Sequence, residues 1–177
     1  MISCRAQGGL TIERLIHERS DMFCFLHTSP KIIYLQMGGN DLSSTSSDIV
    51  ANEVYLFASF LHYGIHIPIV VIRQLLWRDP SSTNQNYNDK VNEVNANLLH
   101  ITRQDNNSCI IFWSDLSFLG RDDVHLNSNG MFKYMRSVRS AVLHASNVLG
   151  KVWYLVYMYM CILNTIQLVH KLLTRKP

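Results

Sequence analysis

Ile32-Ile33-Tyr34-Leu35-Gln36-Met37-Gly38-Gly39-Asn40-Asp41 is the stretch on which the fold turns. A short apolar run, rich in β-branched and aromatic side chains, ends abruptly in two glycines and two small polar residues. Continuous hydrophobicity, rather than alternation, is what a strand buried on both faces requires, as in a parallel sheet. Two further runs have the same character, Ile67-Pro-Ile-Val-Val-Ile72 and Cys109-Ile-Ile-Phe-Trp113. Between and around them, apolar residues recur at helical spacing. Ile12, Leu15 and Ile16 predict one helical face, and Ile49, Val50, Val54, Phe57 and Leu61 a second. Val91, Val94, Leu98 and Leu99 predict a third, and Met131, Tyr134, Met135, Val138 and Val142 a fourth. Strands alternating with helices of this length read as successive βαβ units, so the fold class is α/β, three-layered, with right-handed crossovers.

Composition agrees. A chain of 177 residues suits one domain, and 47% hydrophobic with 16% charged residues excludes a disordered chain. Cys4, Cys24, Cys109 and Cys161 have no C-x-x-C pairing or metal-ligand spacing and read as reduced core residues. The eight histidines offer no H-x-x-x-H or H-x-H pair beside an acid, so neither a metal site nor any other cofactor is expected. The start, Met1-Ile-Ser-Cys-Arg5, lacks the pattern of a signal peptide, and the expectation is an intracellular, cytoplasmic protein. Charge is uneven: residues 1–123 hold nine Lys/Arg and all thirteen Asp/Glu, whereas 124–177 hold seven Lys/Arg and no acid. No arginine-rich run or stacking-aromatic motif accompanies the basic end, so no nucleic-acid partner is expected.

Punctuation refines the boundaries. Ser43–Asp48 offers several N-caps for the second helix. Asp79–Asn86 reads as a long loop, a feature often tied to function in compact domains. Asn127-Ser-Asn-Gly130 opens the fourth helix, and Gly150 is placed to close it in a left-handed cap. In open parallel sheets ligands bind beyond the carboxyl ends of the strands. That directs attention to Gly38–Asp41, to Arg73–Arg78, and to Ser114–Ser117 leading into Asp122-Asp123-Val124-His125.

Two of these segments fit one chemistry. A carboxylate three residues before an imidazole can fix the tautomer of the ring and leave its other nitrogen as a general base. Gly-Gly-Asn-Asp supplies backbone N–H groups and a side-chain amide, the neutral donors that an oxyanion hole needs.

In this order and on this framework the chain resembles the SGNH (GDSL-type) hydrolases from about Met1 to His144. Their G-x-N-D block matches Gly38-Gly39-Asn40-Asp41, and their D-x-x-H block matches Asp122-Asp-Val-His125. Their second block, a glycine after a short strand, matches Gly9 within Ser3–Ile12, with Gly8 beside it. The resemblance implies a flavodoxin-like α/β/α fold with a mostly parallel sheet and a small-molecule ester substrate. It implies His125 as general base, Asp122 as its orienter with Asp123 the neighbouring alternative, and the Asn40 amide with the Gly9 N–H as oxyanion donors.

The sequence contains no Gly-Asp-Ser, the block that supplies the family's nucleophile at the end of its first strand. No nucleophile is therefore assigned. The expectation is that residues 1–147 form an SGNH-like domain with its first strand missing, a strand that would lie inside the sheet beside Ile32–Met37. The apolar run Val152–Leu163 and the residues to Val169, flanked by Lys151 and His170-Lys171, are expected to form a helix docked on the domain within a 148–177 extension. Membrane contact of 152–169 is the less favoured reading, because a spanning helix needs ~20 mostly apolar residues. Two functions compete: ester hydrolysis with the nucleophile absent, and a non-catalytic binding module that keeps the pocket. A flavodoxin-like nucleotide domain ranks last, lacking a phosphate-binding glycine loop.

Overall fold

The computed structural model describes residues 2–6, 9–17, 30–78, 86–105, 109–114, 121–122, 125–149 and 156–160, the backbone alone for 2–6, 121–122, 125 and 156–160. In chain order the elements are β1 (Ile2–Ala6), α1 (Ile12–His17), β2 (Ile32–Gln36), α2 (Ser47–Ser59), β3 (Ile69–Arg73), α3 (Tyr87–Gln104) and β4 (Ile110–Trp113). They continue with β5 (Arg121–Asp122), β6 (His125–Leu126), α4 (Ser128–Val148) and β7 (Val156–Met160). The three apolar runs are all strands, and every residue of β2 and β3 is buried. That is the burial the unbroken hydrophobicity called for.

Alternate side chains of these strands serve two cores. Ile33, Leu35, Val70 and Ile72 pack with α1, α2 and α3 through Leu15, Val50, Val54, Val91, Val94 and Leu98. Ile32, Tyr34, Ile69 and Val71 face α4 through Met131, Tyr134, Val138, Ala141 and Ala145. Helix, sheet and helix thus form three layers, as the periodicity predicted. Each Ile, Leu or Val so buried is worth ~1.5–3 kcal/mol over exposure.

The helical stripes are narrower than the sequence suggested. Ile49 is 50% and Ile16 38% exposed, because each stands next in sequence to the residue that does face the core and is turned away from it. The second stripe ends in Leu61, inside a π turn, Phe60–Gly64, that closes α2. Asn127 caps α4, its Oδ1 accepting from Gly130 N at 2.8 Å, whereas Ser46 at the start of α2 makes no side-chain cap. Gly150 and residues 79–85 of the long loop lie outside the described residues. Cys109 is half-buried, and the other three cysteines lie where no side chain is described.

The main sheet is wholly parallel with the order β1-β7-β2-β3-β4. Here the structure corrects the expected C-terminal helix: Val156–Met160 is a strand, inserted between β1 and β2. Its register sets Ile32 against Val156 and Gln36 against Met160 on one side, and Ile2 against Val156 and Ala6 against Met160 on the other. An apolar run of this length carries no period that separates helix from strand. Pairing decides it: extended, the segment satisfies a row of N–H and C=O groups on each neighbour, where a docked helix would leave them bare. Among the described residues, no helix is long and apolar enough to cross a membrane, and no group of metal-ligating side chains gathers.

Met158 stands in mid-strand, opposite Cys4 and Tyr34. Proline there removes a ladder N–H and strands its partner carbonyl. Met158→Pro is expected to cost ~1–3 kcal/mol, seen as a melting temperature lower by ~2–4 °C for each kcal/mol. An unchanged melting curve would contradict the paired strand.

Candidate active site

β2 delivers the chain into Gly38–Asp41 at the carboxyl edge of the sheet. Gly38 has φ of +101°, and a Cβ on it would meet Val50 Cγ1 at 3.0 Å and Val54 Cγ2 at 3.3 Å. Both the dihedral and the close approach to α2 demand glycine. Asp41 N donates to Gly38 O at 3.3 Å, and a single 3₁₀ turn, Asp41–Ser43, follows. Lys90 Nζ holds the Leu42 carbonyl at 2.8 Å, and the Tyr87 hydroxyl donates to the Gly39 carbonyl at 3.3 Å. The loop is therefore fixed from α2 beneath and from α3 beside it.

Asn40 and Asp41 reach from this loop to the segment after β1. Asn40 Nδ2 donates to the Leu10 carbonyl at 3.0 Å, and Ile12 N donates to Asp41 Oδ1 at 3.0 Å. Two of the sequence-nominated residues, Asn40 and Gly9, are thereby brought together, since Gly9 adjoins Leu10. Gly9 has φ of +67° with open space about its Cα, and its carbonyl accepts from Arg14 Nη1 at 3.3 Å. One amide hydrogen of Asn40 is spent on Leu10; the described residues give the other no acceptor.

In the sequence Asp41 is only the last letter of a motif, yet it is a buried acid with one carboxylate oxygen unpartnered. It is 6% exposed; Oδ1 caps the first turn of α1, and Oδ2 has no hydrogen-bond partner. Burial pushes its carboxyl above the ordinary carboxylate range, opposed by the Ile12 N–H and assisted slightly by Glu13. An acid two positions after a glycine pair gives no sequence signal for capping a helix that begins 29 residues earlier in the chain.

The base-bearing segment is described by its backbone. β5 and β6 form an antiparallel hairpin whose register sets Asp122 directly against His125; their side chains, and Asp123 and Val124, lie outside the described residues. Leu126 packs against the α4 core. Inside it, the Tyr134 hydroxyl donates to Gln36 Oε1 at 2.6 Å, both side chains buried. Gln36 is the last residue of β2, so this bond seats the N-terminal part of α4 over the carboxyl end of that strand. The hairpin that enters α4 thus belongs to the same end of the sheet as Asn40.

No protein-family model matches the chain, and no curated protein matches it in sequence. Solved structures do match. A candidate acylhydrolase from Bacteroides fragilis superposes with a TM-score of 0.60 at 19% identity, covering 79% of this chain and 73% of that one. A GDSL-like lipase from Bacteroides thetaiotaomicron gives 0.55 at 17% identity, covering 77% and 73%. The chain has the α/β fold of GDSL-type hydrolases.

A group whose folded pKa is raised binds its proton more tightly in the folded state, so stability falls as pH rises through the interval above the unfolded value. The wild type is therefore expected to lose ground against Asp41→Asn as pH is raised from 4 to 7, measured by paired denaturant titrations. A difference that moves the other way would show that the capping bond, not burial, governs Asp41.

Proposed function

We propose that this chain is an ester-recognising domain of the SGNH hydrolase type, complete in its oxyanion and base elements and without the serine that forms an acyl-enzyme. The single observation that most supports this reading is the Asn40–Leu10 hydrogen bond, which joins the loop after β2 to the Gly9 segment. It leaves a side-chain N–H of Asn40 and the backbone N–H of Gly9 as neutral donors for the carbonyl oxygen of a carboxylic ester. Preorganised donors of this kind stabilise the charge that develops on that oxygen. The cross-strand register of Asp122 and His125 supports the second half of the reading, with Asp122 orienting the imidazole. The bound ester is a small molecule, and no cofactor takes part.

The sequence contains no Gly-Asp-Ser, so this reading assigns His125 no serine to deprotonate and no covalent intermediate formed through one. That same observation favours a second reading, a binding module that uses the pocket to hold a ligand. Both share the pocket and differ in turnover.

p-Nitrophenyl butyrate is expected to be hydrolysed no faster by the chain than by His125→Ala. A neutral ester, benzyl valerate, should still bind and shift the amide resonances of Gly9 and Asn40. Asn40→Ala should weaken that binding about fivefold, the ~1 kcal/mol of one neutral hydrogen bond. A burst of nitrophenol with a fluorophosphonate-labelled serine would mean that another hydroxyl has taken the role. Ester binding indifferent to Asn40 would remove the oxyanion assignment.

A further inference from the structure

The segment that leaves β3 is held by side chains of α3. Asn88, Asn92 and Asn95 stand on α3 at spacings of four and three, a single face of the helix. Asn95 accepts from Leu75 N at 2.7 Å and donates to Leu75 O at 3.0 Å. Asn88 treats Arg78 alike, at 2.9 and 2.8 Å, and Asn92 accepts from Trp77 Nε1 at 2.7 Å. Each of the outer amides satisfies both backbone groups of one residue, as a neighbouring strand would. Gln74 is tied in turn to β4, its N–H donating to the Trp113 carbonyl at 3.1 Å and its Oε1 accepting from the Ser114 hydroxyl. Loop backbone ordinarily turns to water; here it is bonded at residues 74, 75 and 78.

The consequence is the position of Arg78. Its guanidinium carbon lies 4.1 Å from the centroid of the Tyr87 ring. The hydroxyl of that ring touches the Gly39 carbonyl, one residue before Asn40. Lys90, a turn further along α3, holds the Leu42 carbonyl on the far side of the same loop. Among the described residues no carboxylate pairs with Arg78. A guanidinium laid on an aromatic face keeps its N–H edge for a planar anion, and it is weakly enough hydrated to yield its water.

We propose that Arg78, seated on Tyr87 by the asparagine row, is the specificity-determining residue for an anionic substituent of the ester, a carboxylate separated from the ester carbonyl by a short methylene chain. The inference rests on the ester site proposed above and adds to it the class of ligand. Tyr87 touches Arg78 through its ring and the Gly39 carbonyl through its hydroxyl, and the three methylenes of a glutarate monoester are the spacer this places between a carbonyl at Asn40 and a carboxylate at Arg78. Charge-assisted, two-point contact with a guanidinium is the strong form of carboxylate recognition.

The test compares two ligands that differ only in the end of the acyl chain, a carboxylate in monobenzyl glutarate and a methyl group in benzyl valerate, titrated calorimetrically into the full chain at pH 7 and low salt. The glutarate is expected to bind about tenfold more tightly. In Arg78→Gln the ratio should fall to about one, and in Arg78→Lys it should be intermediate, since an ammonium lacks the planar fork. Arg103→Gln, an exposed charge elsewhere on α3, should leave the ratio at its wild-type value. Melting curves of the variants establish that they fold. Equal affinities in the wild type, or a preference that survives Arg78→Gln, would overturn the anionic subsite while leaving the ester site intact. Failure of both esters to bind the wild type would overturn the ester site, and the subsite with it.

Discussion

β2 is buried along its whole length, and its backbone therefore has to be paired on both edges. β3 takes one edge over four residues and β7 takes the other over five. Each buried N–H or C=O left without a partner costs ~1–3 kcal/mol, against a whole-domain stability of ~5–15 kcal/mol. A few bare groups along β2 would consume that margin. Whatever fills the second edge has to be parallel, apolar and about as long as β2, and Val156-Tyr-Met-Tyr-Met160 has those properties. The chain returns to this slot after α4, so one crossover both covers the second face of the sheet and brings the strand that completes it.

The site inherits its rigidity from the same strand. Gln36, the end of β2, is bonded to Tyr134 within the α4 core, and two residues later Gly38 lies against Val50 and Val54 of α2. Between these fixed points the chain has little freedom, and Asn40 and Asp41 are delivered to the segment after β1 as a unit. Asp41 illustrates what that organisation costs: its carboxylate is kept against an unfavourable burial because it holds the first turn of α1. The donors proposed for an ester carbonyl thus stand on a loop that cannot relax when charge develops beside it, which is the property that oxyanion stabilisation requires.

Much of this could be read from sequence, for reasons that differ element by element. The strands β2 and β3 were legible because burial on both faces leaves a nearly unbroken apolar run, and β4, half-buried beyond Ile110, because its run is apolar as well. The helices were legible by their stripe, though a stripe cannot say which of two adjacent residues, Ile49 or Val50, faces inward. Asn40 and Gly9 were legible only through a resemblance, and the hydrogen bond through Leu10 supplies the physical reason for their nearness. The tail is not legible as a strand because twelve apolar residues in a row, Val152–Leu163, satisfy helix and strand equally. The unpaired edges that decide between them belong to Ile2–Ala6 and Ile32–Gln36, far away in the chain. The asparagine row on α3 is visible in the sequence as polar residues of one kind recurring with helical period beside the apolar stripe Val91, Val94 and Leu98.

Everything in this account rests on β7 being the partner of β2, and amide hydrogen exchange reads that pairing directly. Exchange followed residue by residue in the native full chain should show the amides of Val156–Met160 slowed together with those of Ile32–Gln36, both opening only with the global unfolding of the sheet. If 156–160 exchange at the rate of an unstructured peptide while 32–36 remain protected, β2 is paired on that edge by something other than the tail, and the account is wrong at its centre.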